Sequence, residues 1–416
     1  MIILGENALF ESGYVDNTNT LLIGAPGTGK TRSYVLPNLM STEEESIVVL
    51  DPKGEIYDIS AALMREKGYL VRCLDFVTLE NSDIHYNPLH YCRNENDIAK
   101  FSRIMVEDQQ QRTQDAFWPL TSQMLCNAFV GFLKEFRTES QQTLKSNRKL
   151  VAAATVSEDN PDKSSSKVDR IFEEARNQRP DSWACAQYGL IRNAAARTQK
   201  SVVISLAAEF CGFLTPQMEE LTAFDDVDIP AFCRRRSIIY VKCSDVDRSK
   251  DKLIAMFFTQ LFQELYAIAD SSKCHSLPRG VKVILDDMGA NLKIPNLDGI
   301  ISTARGRRIS VSIILQSLGQ LKRQYPDYTS IVNSCNNVVF LGGSDLETCQ
   351  EMAQRLNRPL DNVLYKDMKT IFVFRQGEKP IVTKPYNLKA HPYYAKLNHP
   401  YGTSSAATEH KEEMLI

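Results

Sequence analysis

The sequence lacks the marks of several specialised classes of protein. Its ten cysteines are scattered singly, with no C-x-x-C pair and no histidine at zinc-binding spacing, which argues against a zinc module or a disulfide scaffold. Its first residues do not show the pattern of a signal peptide, so none is expected, and no apolar run comes near the roughly 20 residues that cross a bilayer. Lysine and arginine (49) almost balance aspartate and glutamate (51), so no global basic field indicates nucleic-acid binding, although a local basic surface is compatible with this balance.

What the sequence does contain is the composition of an ordinary globular protein. Hydrophobic residues make up 43% and charged residues 24% of the chain, and both fractions are typical of soluble domains. A chain of 416 residues is long enough for two or three hydrophobic cores. We therefore expect the chain itself to be soluble, with reduced thiols in ordinary packing.

The first chemical signal is a glycine-rich segment that directly follows the apolar residues 20–23. It reads G-x-x-x-x-G-K-[ST] and consists of Gly24, Ala25, Pro26, Gly27, Thr28, Gly29, Lys30 and Thr31. In such a P-loop the glycines let backbone N–H groups converge on a phosphate, and the next helix turns its positive end toward it. The motif predicts a nucleotide as ligand, with Lys30 at the β- and γ-phosphates and Thr31 as a ligand of Mg²⁺.

Two other predicted strands end in polar residues that a nucleotide site could use. Asp286 and Asp287 follow the apolar strand at 281–285, as in a Walker B motif. Asp286 would hold the Mg²⁺ through water, and Asp287 would orient or activate the attacking water. Gln316 closes the next strand and would lie at the same edge of the sheet, where it could contact the γ-phosphate or the water.

Apolar patterns divide the chain into an α/β domain in two parts, an insert and a tail. Strands and helices alternate over residues 1–90, which hold the P-loop, and again over 235–387, which hold the Walker B motif. Residues 91–234 show helical spacing, and residues 388–416 are predicted to be an irregular tail. The alternation predicts a mostly parallel sheet covered by helices. Its strands are expected at residues 20–23, 46–50, 69–74, 237–241, 281–285, 309–315, 337–341 and 370–374.

The chain resembles the coupling ATPases of type IV secretion and bacterial conjugation. The resemblance extends over nearly the whole chain, from about residue 17 to 385, and is carried by several short segments together. These segments are residues 19–20, 24–31, 35–38, 51–55, 86–89, 116–118, 286–287, 302–305 and 314–317. That family also carries an all-helical domain within its nucleotide-binding domain, which matches the predicted insert.

The resemblance implies a RecA-like P-loop NTPase fold and a hexameric ring with ATP sites between subunits. It implies that ATP hydrolysis drives single-stranded DNA, or a relaxase bound to it, into the type IV secretion channel. The helical insert would recognise the relaxosome cargo. An arginine of one subunit is expected to contact the γ-phosphate bound by its neighbour. Arg305 aligns best with that arginine, and Arg307 is the second choice.

The sequence departs from the family pattern in two places. Family members usually carry one or two transmembrane helices before the P-loop, whereas here the P-loop begins at residue 24. The chain is therefore expected to be either the cytoplasmic portion of a membrane-anchored protein or a naturally short form. The second departure is the Walker B pair, which is Asp286-Asp287 instead of Asp-Glu. We therefore predict that Glu55, at the end of a strand expected beside the P-loop strand, contributes to the activation of water.

Two alternatives to a conjugative coupling ATPase stay open on the sequence. A DNA pump of the chromosome-segregation type would share the motor but act on duplex DNA and bind no relaxase. An assembly receptor would bind ATP and hardly hydrolyse it, and the shorter Asp287 favours this second alternative.

Overall fold

The computed structural model describes residues 1–11, 13, 16–106, 115–154, 166–288 and 292–398. The chain forms two compact units. An α/β unit comprises residues 1–73, 229–245 and those from 264 onward, and a helical unit comprises residues 74–228 and 246–263. The sequence places the domain boundaries after 90 and 234, so this helical unit includes two segments that the predicted insert leaves out. Tyr86 and Phe257 explain the difference, because their rings pack edge to face within the helical unit.

The α/β unit is built on a sheet of nine strands whose central part is parallel. Its order is β11-β10-β9-β3-β8-β7-β4-β6-β5, and the six strands from β9 to β6 are parallel. Strands β1 and β2 form a separate hairpin. The strands are β1 (Ile2–Gly5), β2 (Ala8–Phe10), β3 (Thr20–Gly24), β4 (Ser46–Asp51), β5 (Leu70–Asp75), β6 (Ser237–Lys242), β7 (Val281–Leu285), β8 (Ile309–Leu315), β9 (Asn337–Gly342), β10 (Ile371–Arg375) and β11 (Ile381–Thr383).

The helices of the α/β unit lie between these strands, and most helices of the helical unit fall between β5 and β6. In chain order they are α1 (Leu36–Met40), α2 (Glu55–Glu66), α3 (Glu95–Met105), α4 (Phe117–Phe136), α5 (Leu144–Ala153), α6 (Lys167–Gln178), α7 (Trp183–Arg192), α8 (Ala196–Cys211), α9 (Pro216–Leu221), α10 (Ile229–Phe232), α11 (Asp251–Ser271), α12 (Leu297–Ala304), α13 (Leu318–Gln324), α14 (Tyr328–Ser334), α15 (Leu346–Leu356) and α16 (Asp361–Leu364). None of the helices in the described ranges combines the length and the apolar composition of a membrane span.

The predicted α/β architecture is confirmed, and the strands agree with the predicted ones to within one residue at each end. Strands buried on both faces read as continuous apolar runs, as β3 does, and this makes them visible in a sequence. The antiparallel strands β1, β2 and β11 were not predicted. Each has only three or four residues and at least one partly exposed position, so none gives such a run.

The start of the predicted tail is irregular but packed. Residues 388–398 contain two short 3₁₀ turns, Leu388–Ala390 and Tyr394–Lys396. Leu388 and Leu397 join the hydrophobic core that also contains residues of β1, β4 and α1. The rest of the predicted tail, residues 399–416, lies outside the described residues.

A buried asparagine connects the first strand to the helix that follows the P-loop. Asn38 Oδ1 accepts a hydrogen bond from Ile3 N at 2.8 Å, and its Nδ2 donates to Ile3 O at 2.7 Å and to Tyr34 O at 2.8 Å. The side chain is 8% exposed. It therefore satisfies backbone groups that water does not reach.

We expect Asn38→Ala to lower the free energy of unfolding of the α/β unit by about 2–4 kcal/mol. The substitution leaves the buried N–H and C=O of Ile3 without their partner, and each such group costs about 1–3 kcal/mol. Urea unfolding followed by circular dichroism would measure the change. Asn362→Ala, at an exposed asparagine of α16, is the control, and an Asn38 variant as stable as that control would contradict this role.

Candidate functional site

The glycine-rich segment forms a tight loop at the carboxyl end of β3. Gly27 and Gly29 have φ angles of +80° and +83°, in the left-handed region that favours glycine. Thr28 closes the loop by donating its hydroxyl to Ala25 O at 2.7 Å. A Cβ on Gly24 would lie 2.5 Å from that hydroxyl oxygen, so the close approach needs glycine. The two left-handed glycines and the Thr28 hydrogen bond therefore make this a tight, closed loop.

The helix after the loop begins with a wide turn. Residues Thr31–Val35 are in π conformation and continue into α1. Ser33 donates both its backbone N–H and its hydroxyl to Gly29 O, each at 2.8 Å, which joins the turn to the loop. Lys30 donates its ammonium to Gly24 O at 3.0 Å, so its side chain folds back across the loop. Isolated π turns of this kind are frequent at functional sites.

Strand β7 brings Asp286 to the P-loop. The Thr31 hydroxyl donates to Asp286 Oδ2 at 3.0 Å, while Asp286 Oδ1 is buried and has no hydrogen-bond partner among the described residues. Burial and the nearby carboxylates of Asp287 and Asp51 raise the pKa of Asp286 to about 7, although the Thr31 hydrogen bond and Lys30 oppose that shift. A buried acid with a free oxygen is a strong acceptor for a cation.

The pair formed by Thr31 and Asp286 fits a Mg²⁺ ion that is shared with a phosphate. Magnesium prefers oxygen ligands and is usually held by one or two carboxylates together with phosphates and waters. No cluster of three or more His, Cys, Asp or Glu side chains within the described ranges could hold a metal by itself. The protein thus offers a partial site that a nucleotide would complete.

Asp287 and Gln316 come together beside this pair, as the sequence predicts for neighbouring strand ends. Gln316 Nε2 lies 3.2 and 3.1 Å from the two carboxylate oxygens of Asp287 and donates to them. Asp287 has a φ angle of +42°, which is unusual for a residue other than glycine. Strained residues of this kind concentrate at active sites. Gln320 accepts the backbone N–H of Gln316 at 2.9 Å and holds it in place.

A second buried acid, Asp51, was not assigned to the site from the sequence. Strand β4 pairs with β7 so that Leu50 is opposite Leu285, and Asp51 is therefore beside Asp286. Burial raises the pKa of Asp51 to about 6, although hydrogen bonds from the first backbone N–H groups of α2 oppose this shift. The signal that could have revealed it is an acidic residue at the end of an apolar strand, the same signal that revealed Asp286.

The prediction about the position of Glu55 is wrong in one respect. Its strand, β4, is not beside the P-loop strand β3, because β7 and β8 lie between them. Glu55 is the exposed first residue of α2, and no hydrogen bond or ion pair joins its side chain to another described residue. The structure therefore does not bring Glu55 into contact with Asp287.

Arg305 and Arg307 lie at the opposite edge of the sheet from the P-loop. Both precede β8, whose seven residues span about 20 Å along the strand. Arg305 is exposed, without an ion pair to any described residue, and lines a cleft of about 630 Å³. Arg307 instead pairs with Asp270 at 2.9 Å and lies over the ring of Tyr266. Neither arginine joins the P-loop of its own chain.

We expect the metal-free protein to lose stability as pH rises from about 4 through about 7 because of Asp286. The pKa of Asp286 is about 7 in the folded chain and about 3.9 in the unfolded chain. Between these two pH values Asp286 is protonated in the folded chain and ionised in the unfolded chain, so a rise in pH favours unfolding. Asp286→Asn should remove the part of this dependence that Asp286 causes, leaving the smaller part due to Asp51, and raise the free energy of unfolding at pH 8 by roughly 2–4 kcal/mol. Urea unfolding in a chelator, compared across pH, would measure it.

The control for this experiment is Asp361→Asn, at an exposed carboxylate of α16. This variant should follow the wild-type profile, because its carboxylate is in water in both states. An Asp286→Asn variant that also follows the wild-type profile would show that Asp286 ionises without penalty in the fold.

The chain is similar to known proteins in its family and in its fold. A family model described as "Type IV secretory system Conjugative DNA transfer" matches residues 3–358. The bacterial conjugative coupling protein TrwBdeltaN70 in complex with sulphate has 16% identity and a TM-score of 0.65, over 89% of this chain and 86% of that chain. TrwB with ADP and Mg²⁺ gives the same identity and TM-score, over 88% and 85%.

More distant is VirB4 of Thermoanaerobacter pseudethanolicus, with 14% identity and a TM-score of 0.50 over 95% of this chain and 97% of that chain. No curated protein sequence matches the chain. At these identities the structural neighbours show the fold alone, a RecA-like P-loop NTPase with a helical domain. The family model covers most of the chain, and the chain therefore belongs to the type IV secretory system conjugative DNA transfer family.

Proposed function

We propose that this protein is a coupling protein of type IV secretion, which binds ATP with Mg²⁺ at its P-loop and hydrolyses the nucleotide to drive DNA transfer. The observation that carries the proposal is the meeting of two polar pairs at one edge of the sheet, Thr31 with Asp286 and Asp287 with Gln316. Support also comes from the structures of TrwB with ADP and Mg²⁺ and with non-hydrolysable analogues of GTP and ATP.

Each residue has a separate task in the proposed reaction. The backbone N–H groups of the P-loop and the Lys30 ammonium bind the β- and γ-phosphates. Thr31 and Asp286 would hold the Mg²⁺, which would supply positive charge to offset that of the phosphate oxygens. Asp287 orients the attacking water by accepting a hydrogen bond from it. Gln316 keeps Asp287 in position and can donate to the γ-phosphate.

Arg305 is proposed to act on the nucleotide of a neighbouring subunit. Within one chain the length of β8 separates it from the P-loop, so only a second copy could place its guanidinium at the γ-phosphate. A head-to-tail ring, which the family resemblance suggests to be a hexamer, would provide this contact at every interface. Arg305 is preferred to Arg307 because Arg307 is already held by Asp270 and Tyr266.

The partners of the motor follow from the family. We propose that it moves single-stranded DNA with its relaxase, that the helical unit contacts the relaxosome proteins, and that the ring docks on channel components at the cytoplasmic side of the bacterial membrane. The second candidate function is an assembly receptor that binds ATP with little turnover. Asp287 favours it, because this side chain is about one methylene shorter than the usual Glu and is already engaged by Gln316.

We expect ATP hydrolysis to rise more than linearly with protein concentration and to be stimulated by single-stranded DNA. Both effects follow if the site is completed between subunits that assemble on a strand. Lys30→Ala should lower turnover on the order of a hundredfold, because it removes the cation at the transferred phosphate. Steady-state phosphate release, with single-stranded, duplex or no DNA, would measure this.

Lys379→Ala, at an exposed lysine between β10 and β11 of the same unit, is the control and should leave turnover unchanged. Preferential stimulation by duplex DNA would indicate a pump of the chromosome-segregation type. Nucleotide binding without turnover under any of these conditions would favour the assembly receptor.

We expect a mixture of two inactive variants to regain activity if Arg305 acts between subunits. Arg305→Ala should bind ATP normally but lose turnover, and Lys30→Ala should lose it as well. In an equal mixture, about one site in four combines an intact P-loop with an intact arginine from its neighbour, which predicts about a quarter of wild-type turnover. Steady-state phosphate release from the mixture would show it.

Arg307→Ala is the matched comparison, because it removes a neighbouring arginine of the same turn. It should keep most of its turnover on its own. If turnover recovers when Lys30→Ala is mixed with an inactive Arg307→Ala, and does not recover when it is mixed with Arg305→Ala, the role belongs to Arg307. An Arg305→Ala protein with full turnover would remove Arg305 from the site.

A further inference from the structure

Three large apolar side chains are exposed near the C-terminal end of β9. Tyr365 is 81%, Met368 74% and Leu346 53% exposed. Tyr365 and Met368 are more exposed than any other large hydrophobic residue in the described ranges except Val246. They belong to the turn of residues 365–370, between α16 and β10, and Leu346 begins α15. This exposed apolar group has no role in the phosphate site described above.

The turn of residues 365–370 lies at the same edge of the sheet as the P-loop. Strand β9 is next to β3, and Ala25 N donates to Gly342 O at 2.8 Å where both strands end. Strand β10 runs antiparallel to β9, with Phe372 opposite Phe340, so its first residue is beside the end of β9. Two strand spacings, about 10 Å in total, therefore separate the turn from β3.

Lys366 holds this turn against the end of β9. Its ammonium donates to Leu341 O at 2.8 Å and to Thr370 O at 2.6 Å. A Cβ on Gly342, whose φ angle is +128°, would lie 2.9 Å from the Lys366 nitrogen, so the close contact needs glycine there. The turn that carries Tyr365 and Met368 is thus fixed in place before any ligand binds, which lowers the entropic cost of binding to it.

The direction of a nucleotide across the P-loop follows from the polar residues on its two sides. The groups suited to the γ-phosphate, Asp286, Asp287 and Gln316, come from β7 and β8 on one side of β3. On the other side are β9 and β10, with the exposed apolar turn. If the phosphates of a nucleotide point toward β7 and β8, its sugar and base extend toward β9 and β10.

We infer that Tyr365, supported by Met368, forms the surface on which the base of the bound nucleotide stacks. The inference rests on the proposed nucleotide function and extends it to the recognition of the base. An aromatic ring stacks on the π-face of any base, so this contact provides affinity with little choice between adenine and guanine. The methionine thioether is suited to the edge of such a stack.

Calorimetric titration with ADP and with inorganic pyrophosphate, both in Mg²⁺, tests this inference. Tyr365→Ala should weaken ADP binding about tenfold, within the range measured for base–aromatic stacks. Pyrophosphate affinity should not change, because pyrophosphate contacts only the P-loop side. Tyr365→Phe keeps the ring and should bind ADP like the wild type. Val382→Ala, at a half-exposed residue of the outermost strand β11, is the control.

The other outcomes would overturn the inference, and they differ from each other. Unchanged ADP affinity in Tyr365→Ala, or an equal loss for ADP and pyrophosphate, would show that no base stacks there. Unchanged ADP affinity together with weaker self-association would assign the apolar group to a contact between copies of the chain. A wild-type protein that binds neither ADP nor pyrophosphate would refute the nucleotide function itself.

Discussion

The candidate site depends on the hydrogen-bonded register of five neighbouring parallel strands. Ile23 of β3 pairs with Leu315 of β8 and with Phe340 of β9, and Leu285 of β7 pairs with Leu50 of β4. Parallel strands end at a common edge, so residues far apart in sequence meet there. Thr31 and Asp286 are 255 positions apart and share a hydrogen bond. A slip of one residue in the pairing of β7 would turn Asp286 to the other face of the sheet, away from Thr31.

The same edge holds two buried carboxylates, and this is costly for the free protein. Burial raises the pKa values of both Asp286 and Asp51, which means that their charged forms are disfavoured in the fold. Buried charges are normally paired, and departures from that rule tend to mark functional sites. In the proposed function a Mg²⁺ ion supplies the missing positive charge. The cost of burying the two carboxylates in the free protein therefore favours binding of the nucleotide with its metal.

The two edges of the sheet carry complementary halves of the proposed catalytic site. The carboxyl edge holds the P-loop and the acids, and the amino edge holds Arg305. Because β8 keeps these edges about 20 Å apart, one chain cannot supply both to one nucleotide. Assembly and hydrolysis are therefore coupled in the proposed motor. The inferred base contact at Tyr365 lies on the carboxyl edge, so binding of the nucleotide alone would need only one subunit.

The sequence by itself determined the P-loop, the α/β fold, the buried strands and the end-of-strand residues Asp286, Asp287 and Gln316. These features are local, since each depends on a short motif or on a continuous apolar run that a buried parallel strand requires. Only the tertiary structure decided the order of the strands, because pairing between strands distant in sequence leaves no local pattern. That order separated Glu55 from the P-loop strand and brought Asp51 beside Asp286. It also placed the turn with Tyr365 on the side of β3 opposite to Asp286, Asp287 and Gln316.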